Sequence, residues 1–192
     1  MSAALGGRAR RSARDRILAA ATEVAREQGA GNLSLDAVAA RAGVSKGGLL
    51  YHFPSKAALM RACVEAFVFD FEERLEAART EGRGGLLGAF VRLTLKEYDK
   101  SGPDAAAVLA AMADDPDFLQ PVKAFQRRLL DRLLAETDRP AEVLLAYLAL
   151  EGLRSLHLFE MDILSQEEVR LACEAMEGGL SAASRKIPET VP

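Results

Sequence analysis

"GVSKGGLLYHFPSK", Gly43 to Lys56, is the stretch whose reading decides the fold. Ser45 reads as a helix N-cap, and Leu49, Leu50 and Phe53 read as a buried face. Between them stand two adjacent glycines, Gly47 and Gly48. A glycine in a helix interior costs about 1 kcal/mol relative to alanine, because the backbone loses more entropy on folding. A short helix that carries two of them needs a reason outside its own stability.

The residues just upstream supply one. Ser34 suits the N-cap of a short helix ending at Ala42, with Leu35, Val38 and Ala39 facing inward, and Gly43 then makes a tight turn. Two short helices joined through a glycine turn predict a helix-turn-helix. Ala39 is small enough to let the helices pass closely, while Val38, Ala42, Val44 and Leu49 complete a miniature core. That unit lays its second helix in the DNA major groove with its N-terminal residues toward base edges. Ser45, Lys46, Gly47 and Gly48 hold those positions, and the absence of side chains at the glycines lets the backbone approach bases and sugar-phosphate. Lys46 can donate to guanine O6 and N7 or to a phosphate, and Ser45 can cap the helix or touch phosphate. Tyr51 and His52, one turn later, either reach the flanking phosphates or pack against neighbouring helices. Lys56 opens the next helix, where it opposes the helix dipole but suits a nearby phosphate.

The whole chain reads as helix. Strand alternation and hairpin signals are missing, and Ala, Leu, Arg and Glu dominate. A first helix is expected from Ser12 to Gln28, closed by Gly29. Ser55 is expected to cap a long fourth helix reaching about Arg79. "EGRGG" (81–85) is a joint, and further helices are placed near 86–100, 104–113, 121–137, 140–160 and 165–184, with prolines at their ends. The predicted fold class is all-α: a three-helix helix-turn-helix domain over 12–60 and a helical ligand-binding and dimerisation domain over 61–185. Residues 1–11 and 186–192 are expected to be flexible tails.

Composition narrows the function classes. A hydrophobic content of 49% with 28% charged residues fits an ordinary water-soluble globular chain. No apolar run approaches the roughly 20 residues that span a bilayer, and no apolar segment follows the N-terminal arginines as in a secretory signal, so a cytoplasmic protein without membrane contact is expected. Cys63 and Cys173 lie on apolar helical faces without metal-ligand spacing and are expected as buried free thiols; no metal and no cofactor are predicted. The net charge of −3 hides an asymmetry. Residues 1–61 hold ten Lys/Arg against four Asp/Glu, or +6, and residues 62–192 hold fifteen against twenty-four, or −9. A basic end on an acidic body suits a protein that meets a polyanion only through its first segment. The arginine-rich start, "RARRSARDR", is either an arm toward the minor groove or a solvated tail. Two distant histidines, no P-loop, no G-x-S-x-G and no dinucleotide-binding glycine pattern argue against an enzyme.

The stretch "RDRILAAATEVAREQGAGNLSLDAVAARAGVSKGGLLYHFPSKAALMRACVEAF" resembles the DNA-binding domain of the tetracycline-repressor (TetR) family of transcriptional regulators. The likeness rests on "RILAAATEVAREQG", "LSLDAVAARAGVS" and "G-x-L-x-x-HF-x-SK", and covers about residues 12–67. It implies a homodimer on a palindromic operator, usually a repressor released by a small molecule, with Ser34 in the place of a Ser/Thr cap that can touch phosphate. Two positions depart from the family pattern. A tyrosine that touches phosphate usually follows the leucine at 49, whereas Leu50 stands there and the aromatic is Tyr51. A position often polar or basic near the start of the first motif helix is Asp36, which suits the helix N-terminus but cannot clamp a phosphate.

Beyond this region the expectations are coarser. "AEVLLAYLALEGLRSLHLF" (141–159) has eight consecutive apolar residues from Val143 to Leu150, so that helix must be covered on more than one side. Together with a last helix striped by Val169, Ala172, Cys173, Met176, Leu180 and Ala183, it predicts a two-helix by two-helix homodimer interface. A small apolar or amphipathic effector is expected among Phe67, Phe71, Met112 and Phe118. Phe125, Tyr147, Arg154 and His157 complete that expected site, the last two as polar contacts or ordinary core. The alternative is a helix-turn-helix regulator with no small-molecule effector, and an enclosed cavity would discriminate the two.

Overall fold

A computed structural model of the chain describes residues 12–29, 32–82, 84–98, 111–112, 115–161 and 163–183. The described elements are helices: α1 (Ala13–Gln28), α2 (Leu35–Ala42), α3 (Lys46–His52), α4 (Lys56–Glu81), α5 (Gly85–Tyr98), α6 (Gln120–Ala135), α7 (Pro140–Leu158) and α8 (Gln166–Ala183). No strand occurs among the described residues. The all-α fold class is therefore observed, and the helix ends fall within about two residues of those expected. The tails, the N-terminal arm, Pro103 and most of the helix expected over 104–113 lie outside the described residues; Ala111 and Met112 are helical.

Local chemistry sets these boundaries. Ser12 caps α1 in a reciprocal box, its Oγ accepting from Asp15 N–H while its own N–H donates to Asp15 Oδ2. Gly29 follows α1 with φ 82°, in the region that favours glycine. Ser34, Ser45 and Ser55 each accept a first-turn N–H of the following helix. Pro140 starts α7 at the position where proline lacks nothing a helix needs.

The described residues form two compact units, those within Met1–Ala66 and Ala106–Leu119 and those within Phe67–Ala105 and Gln120–Pro192, so α4 contributes to both. The first unit has a core of Ile17, Leu18, Ala21 and Val24 from α1, Val38, Ala39 and Ala42 from α2, and Leu49, Phe53 and Leu59 beyond. Arg61 of α4 pairs with Asp115 within this unit, an interaction that holds the Asp115 carboxyl below its ordinary pKa.

The second unit is built around α5, which packs against α7 and α8 and is buried on nearly every side from Leu86 to Leu93. A helix apolar around its circumference belongs at the centre. Phe71 meets Phe90 and Phe125 edge-on, and Phe90 stacks on Tyr147. Arg128 and Arg132 of α6 pair with Glu72 and Glu76 of α4 on the outside.

Neither cysteine is in a disulfide; Cys173 is buried and Cys63 half-buried, with burial pushing the Cys63 thiol up to about 11. Such a thiol is unreactive near neutral pH. Among the described residues no helix is long and apolar enough to cross a membrane, and no cluster of His, Cys, Asp and Glu could hold a metal ion.

Candidate nucleic-acid interface

The turn between α2 and α3 fixes the geometry of this site. Gly43 adopts the left-handed conformation at φ 65°, ψ 41°. Its N–H donates to Ala40 O, and the Val44 N–H reaches Ala39 O at 3.1 Å, so the last carbonyls of α2 are satisfied in the turn itself. A side chain at Gly43 would have room but would be strained in this backbone conformation.

α3 has a hidden face and an open face. Leu49 is fully buried and Phe53 nearly so, and the Arg14 guanidinium sits 5.5 Å above the Phe53 ring. Leu50 differs from expectation: at 37% exposed it lies off the anchoring face. The two glycines also differ from the first reading, because they are the second and third helical positions and not an interior pair. First-turn N–H groups have no intrahelical partner to lose, so the glycines cost less than their interior value.

Gly47 and Gly48 have different surroundings. A Cβ at Gly47 would meet nothing within 4 Å, so no contact inside the protein requires glycine there. A Cβ at Gly48 would approach Ser45 Oγ at 3.2 Å, crowding the hydroxyl that accepts the Gly48 N–H at 3.0 Å. Gly48 thus has a local role in the cap, whereas Gly47 leaves bare backbone on an exposed surface.

The other expected DNA-facing residues all belong to the first unit and differ in exposure. Ser45 and Lys46 are exposed at the N-cap and first position of α3, and Ser34 is exposed at the start of α2. Tyr51 is 86% exposed, with its ring edge against His52, so it does not pack into the core. His52 is half-buried, tilted against Phe53, and Lys56 is half-buried in the first turn of α4. Sequence reading missed one connection: Lys46 Nζ lies 3.0 Å from Asp36 Oδ2, joining the first turns of α2 and α3. Opposite charges in the opening turns of two adjacent helices were the available signal. Arg41 at the other end of α2 pairs with Glu23 and Glu27 of α1 and locks the two helices together.

Four of the expected effector residues lie together in the second unit. Phe67, Phe71, Phe125 and Arg154 line a cavity of about 20 Å³ in the second unit, with Val68, Val122, Gln126 and Glu151. That volume holds a single water. Arg154 lies 5.3 Å above the Phe71 ring, and Gln126 donates to Glu151 at 2.8 Å. Burial raises the Glu151 carboxyl above its ordinary pKa, against the opposing pull of Arg154. Tyr147 is core, stacked on Phe90, and His157 is half-buried near the end of α7. Met112 and Phe118 belong to the first unit.

The expected dimer helices carry their apolar surface unevenly. α7 buries Val143, Ala146, Tyr147, Leu150 and Leu153 but exposes Leu145 and Leu148 at 68% and 63%. On α8 the stripe offered to a partner is in part core, since Val169 and Cys173 are buried in their own unit; Leu171, beside that stripe, is exposed, and the side chains of Leu180 and Ala183 lie outside those described.

Comparisons with known proteins agree with this architecture. A family model described as "Bacterial regulatory proteins, tetR family" matches residues 17–63, and one described as "Tetracyclin repressor-like, C-terminal domain" matches residues 84–179. Among solved structures, a TetR-family transcriptional regulator from Streptomyces coelicolor superposes with a TM-score of 0.68 at 24% identity, over 90% of this chain and 96% of that one. A transcriptional regulator from Rhodococcus sp. Rha1 gives 0.66 at 21% identity, over 92% and 100%. The multidrug binding protein EbrR, complexed with imidazole, gives 0.62 at 24% identity, over 94% and 99%. No curated protein matches the sequence.

Proposed function

The chain belongs to the tetR family of bacterial regulatory proteins, DNA-binding transcriptional regulators, and from that premise we propose that it is a homodimeric repressor of a palindromic operator, released by a small apolar or amphipathic effector. α3 of each protomer enters the major groove with Ser45, Lys46, Gly47 and Gly48 toward the bases. Ser34, Tyr51, His52 and Lys56 contact flanking phosphates, which set register without reading sequence. The observation that carries the reading is Gly47: bare backbone beside an exposed lysine, which nothing inside the protein requires. The exposed leucines of α7, with Leu171 of α8, support self-association, and two-fold symmetry then sets the α3 helices about 34–36 Å apart.

The effector part rests on the fold, which EbrR shares, and on the aromatic cavity lined by Phe67, Phe71, Phe125 and Arg154. Binding there shifts the population toward dimers whose α3 pair no longer matches successive grooves, with α4 as the element common to both units. The small volume of that cavity favours a second reading, a helix-turn-helix regulator that answers to no small molecule.

Selecting duplexes from fragments of the source genome and footprinting the bound site tests both. The expected footprint is an inverted repeat; protection without two-fold symmetry would remove the homodimer reading. Apolar and amphipathic compounds that bind the protein are then titrated into the complex. Release of the duplex supports the effector, and unchanged affinity with every bound compound leaves the second reading.

A further inference from the structure

Asp36 stands where a repeller of phosphate is least expected, in the first turn of α2 beside the N-cap Ser34 and on the surface that carries Lys46 and Gly47. Its Oδ2 holds Lys46 Nζ at 3.0 Å, and both side chains remain largely exposed, 69% and 58%. The ammonium has three N–H donors, so one bond to Asp36 leaves two for another acceptor. Guanine presents O6 and N7 side by side in the major groove, a pair that two donors can meet together. The carboxylate also cancels the lysine's charge toward any phosphate, and phosphate neutralisation is the sequence-independent part of DNA affinity.

The geometry points to Asp36 as a specificity-determining residue, a positioning group that holds the Lys46 ammonium toward a base edge and withholds it from the phosphate backbone. It lowers affinity for arbitrary DNA more than affinity for the operator, and so widens the ratio between them. The inference rests on the DNA-binding reading of α3 given above.

The test uses the full chain, the tightest duplex that the wild-type protein selects from a random-sequence library, and a scrambled duplex of equal composition. Affinities are measured across a salt series for wild type, Asp36→Asn, Lys46→Met and the double variant. Asp36→Asn is expected to bind the scrambled duplex about three- to ten-fold more tightly, with a salt slope steeper by about one, because a phosphate contact has been gained. Its affinity for the selected duplex stays level or falls, so the ratio narrows. In the double variant the summed charge of the pair equals that of wild type. Scrambled-duplex affinity therefore returns to the wild-type level while selected-duplex affinity stays below it. Equal tightening on both duplexes, or no change in the slope on scrambled DNA, would overturn the proposal. A wild-type protein that does not discriminate the two duplexes would instead remove the underlying reading of α3, and the role of Asp36 with it.

Discussion

α3 and α7 each turn toward solvent a face that their own packing does not explain, and the two faces are opposite in chemistry. α3 presents bare backbone at Gly47 with an exposed ammonium and hydroxyls around it, over a buried Leu49. α7 presents Leu145 and Leu148 over a buried row that includes Val143 and Leu150. Polar bareness suits a polyanion whose backbone must come close, while exposed leucines suit a second apolar surface. Each face is held outward by an inward one. A helix can therefore be assigned a partner from what its exposed face lacks as much as from what it carries.

The largest expected effect comes from removing the anchor behind the bare face. Leu49→Ala deletes a fully buried side chain from the first unit and should cost about 2–5 kcal/mol in urea unfolding. DNA binding should fall with it, since α3 loses its seat. A loss near zero would mean that α3 is not fastened through Leu49, and the division into hidden and open faces would fail.

Breaking the other face should spare folding and abolish assembly. The double variant Leu145→Arg, Leu148→Arg places charge on surface that is already exposed. Each protomer should keep its helical content, sediment as a monomer, and lose about a hundred-fold or more in operator affinity as the second half-site stops contributing. A dimer that persists would move the interface away from α7.

A smaller effect separates the two sides of α7. Glu151 faces the cavity, where burial raises its pKa above the ordinary carboxylate value. In the window above that ordinary value the unfolded chain binds fewer protons than the folded one at this group. Stability therefore falls as pH rises through the window, and the group is fully protonated in both states below it. Glu151→Gln lacks this loss while retaining an oxygen for Gln126, so it should gain under about 1 kcal/mol relative to wild type between acid and neutral pH. Its oligomeric state should not change. A variant that instead loses ground toward neutral pH would show that Arg154 outweighs burial at this carboxylate.

How legible these regions were in the sequence follows from the range of the interactions that define them. Ser34, Gly43 and Ser45 act within a turn of themselves, so the caps of α2 and α3 and the tight turn between them could be read directly from residue order. The core positions Val38, Ala39, Leu49 and Phe53 followed from helical spacing. The Asp36–Lys46 pair joins two helices across ten residues and depended on the angle between them. The direction of the α8 stripe depended on what α5 had already claimed, and Val169 and Cys173 turned out to face their own unit. Met112 and Phe118 fall in the first unit and Phe71 in the second, a division that apolar character alone does not mark in the sequence. Proline positions mark where helices stop, and say nothing of which core the next segment joins.

Central to the DNA-binding reading of α3 is that the bare backbone at Gly47 exists for DNA and not for the fold. It is tested most directly by comparing Gly47→Leu with wild type on the duplex that wild type selects, at matched salt, alongside their thermal midpoints. A Cβ at this position meets nothing within 4 Å in the free protein, and leucine has better helix propensity than glycine. A midpoint equal to or above that of wild type is expected, together with a loss of about ten-fold or more in operator affinity, from bulk between α3 and the base edges. An affinity equal to wild type, with the fold intact, would contradict it.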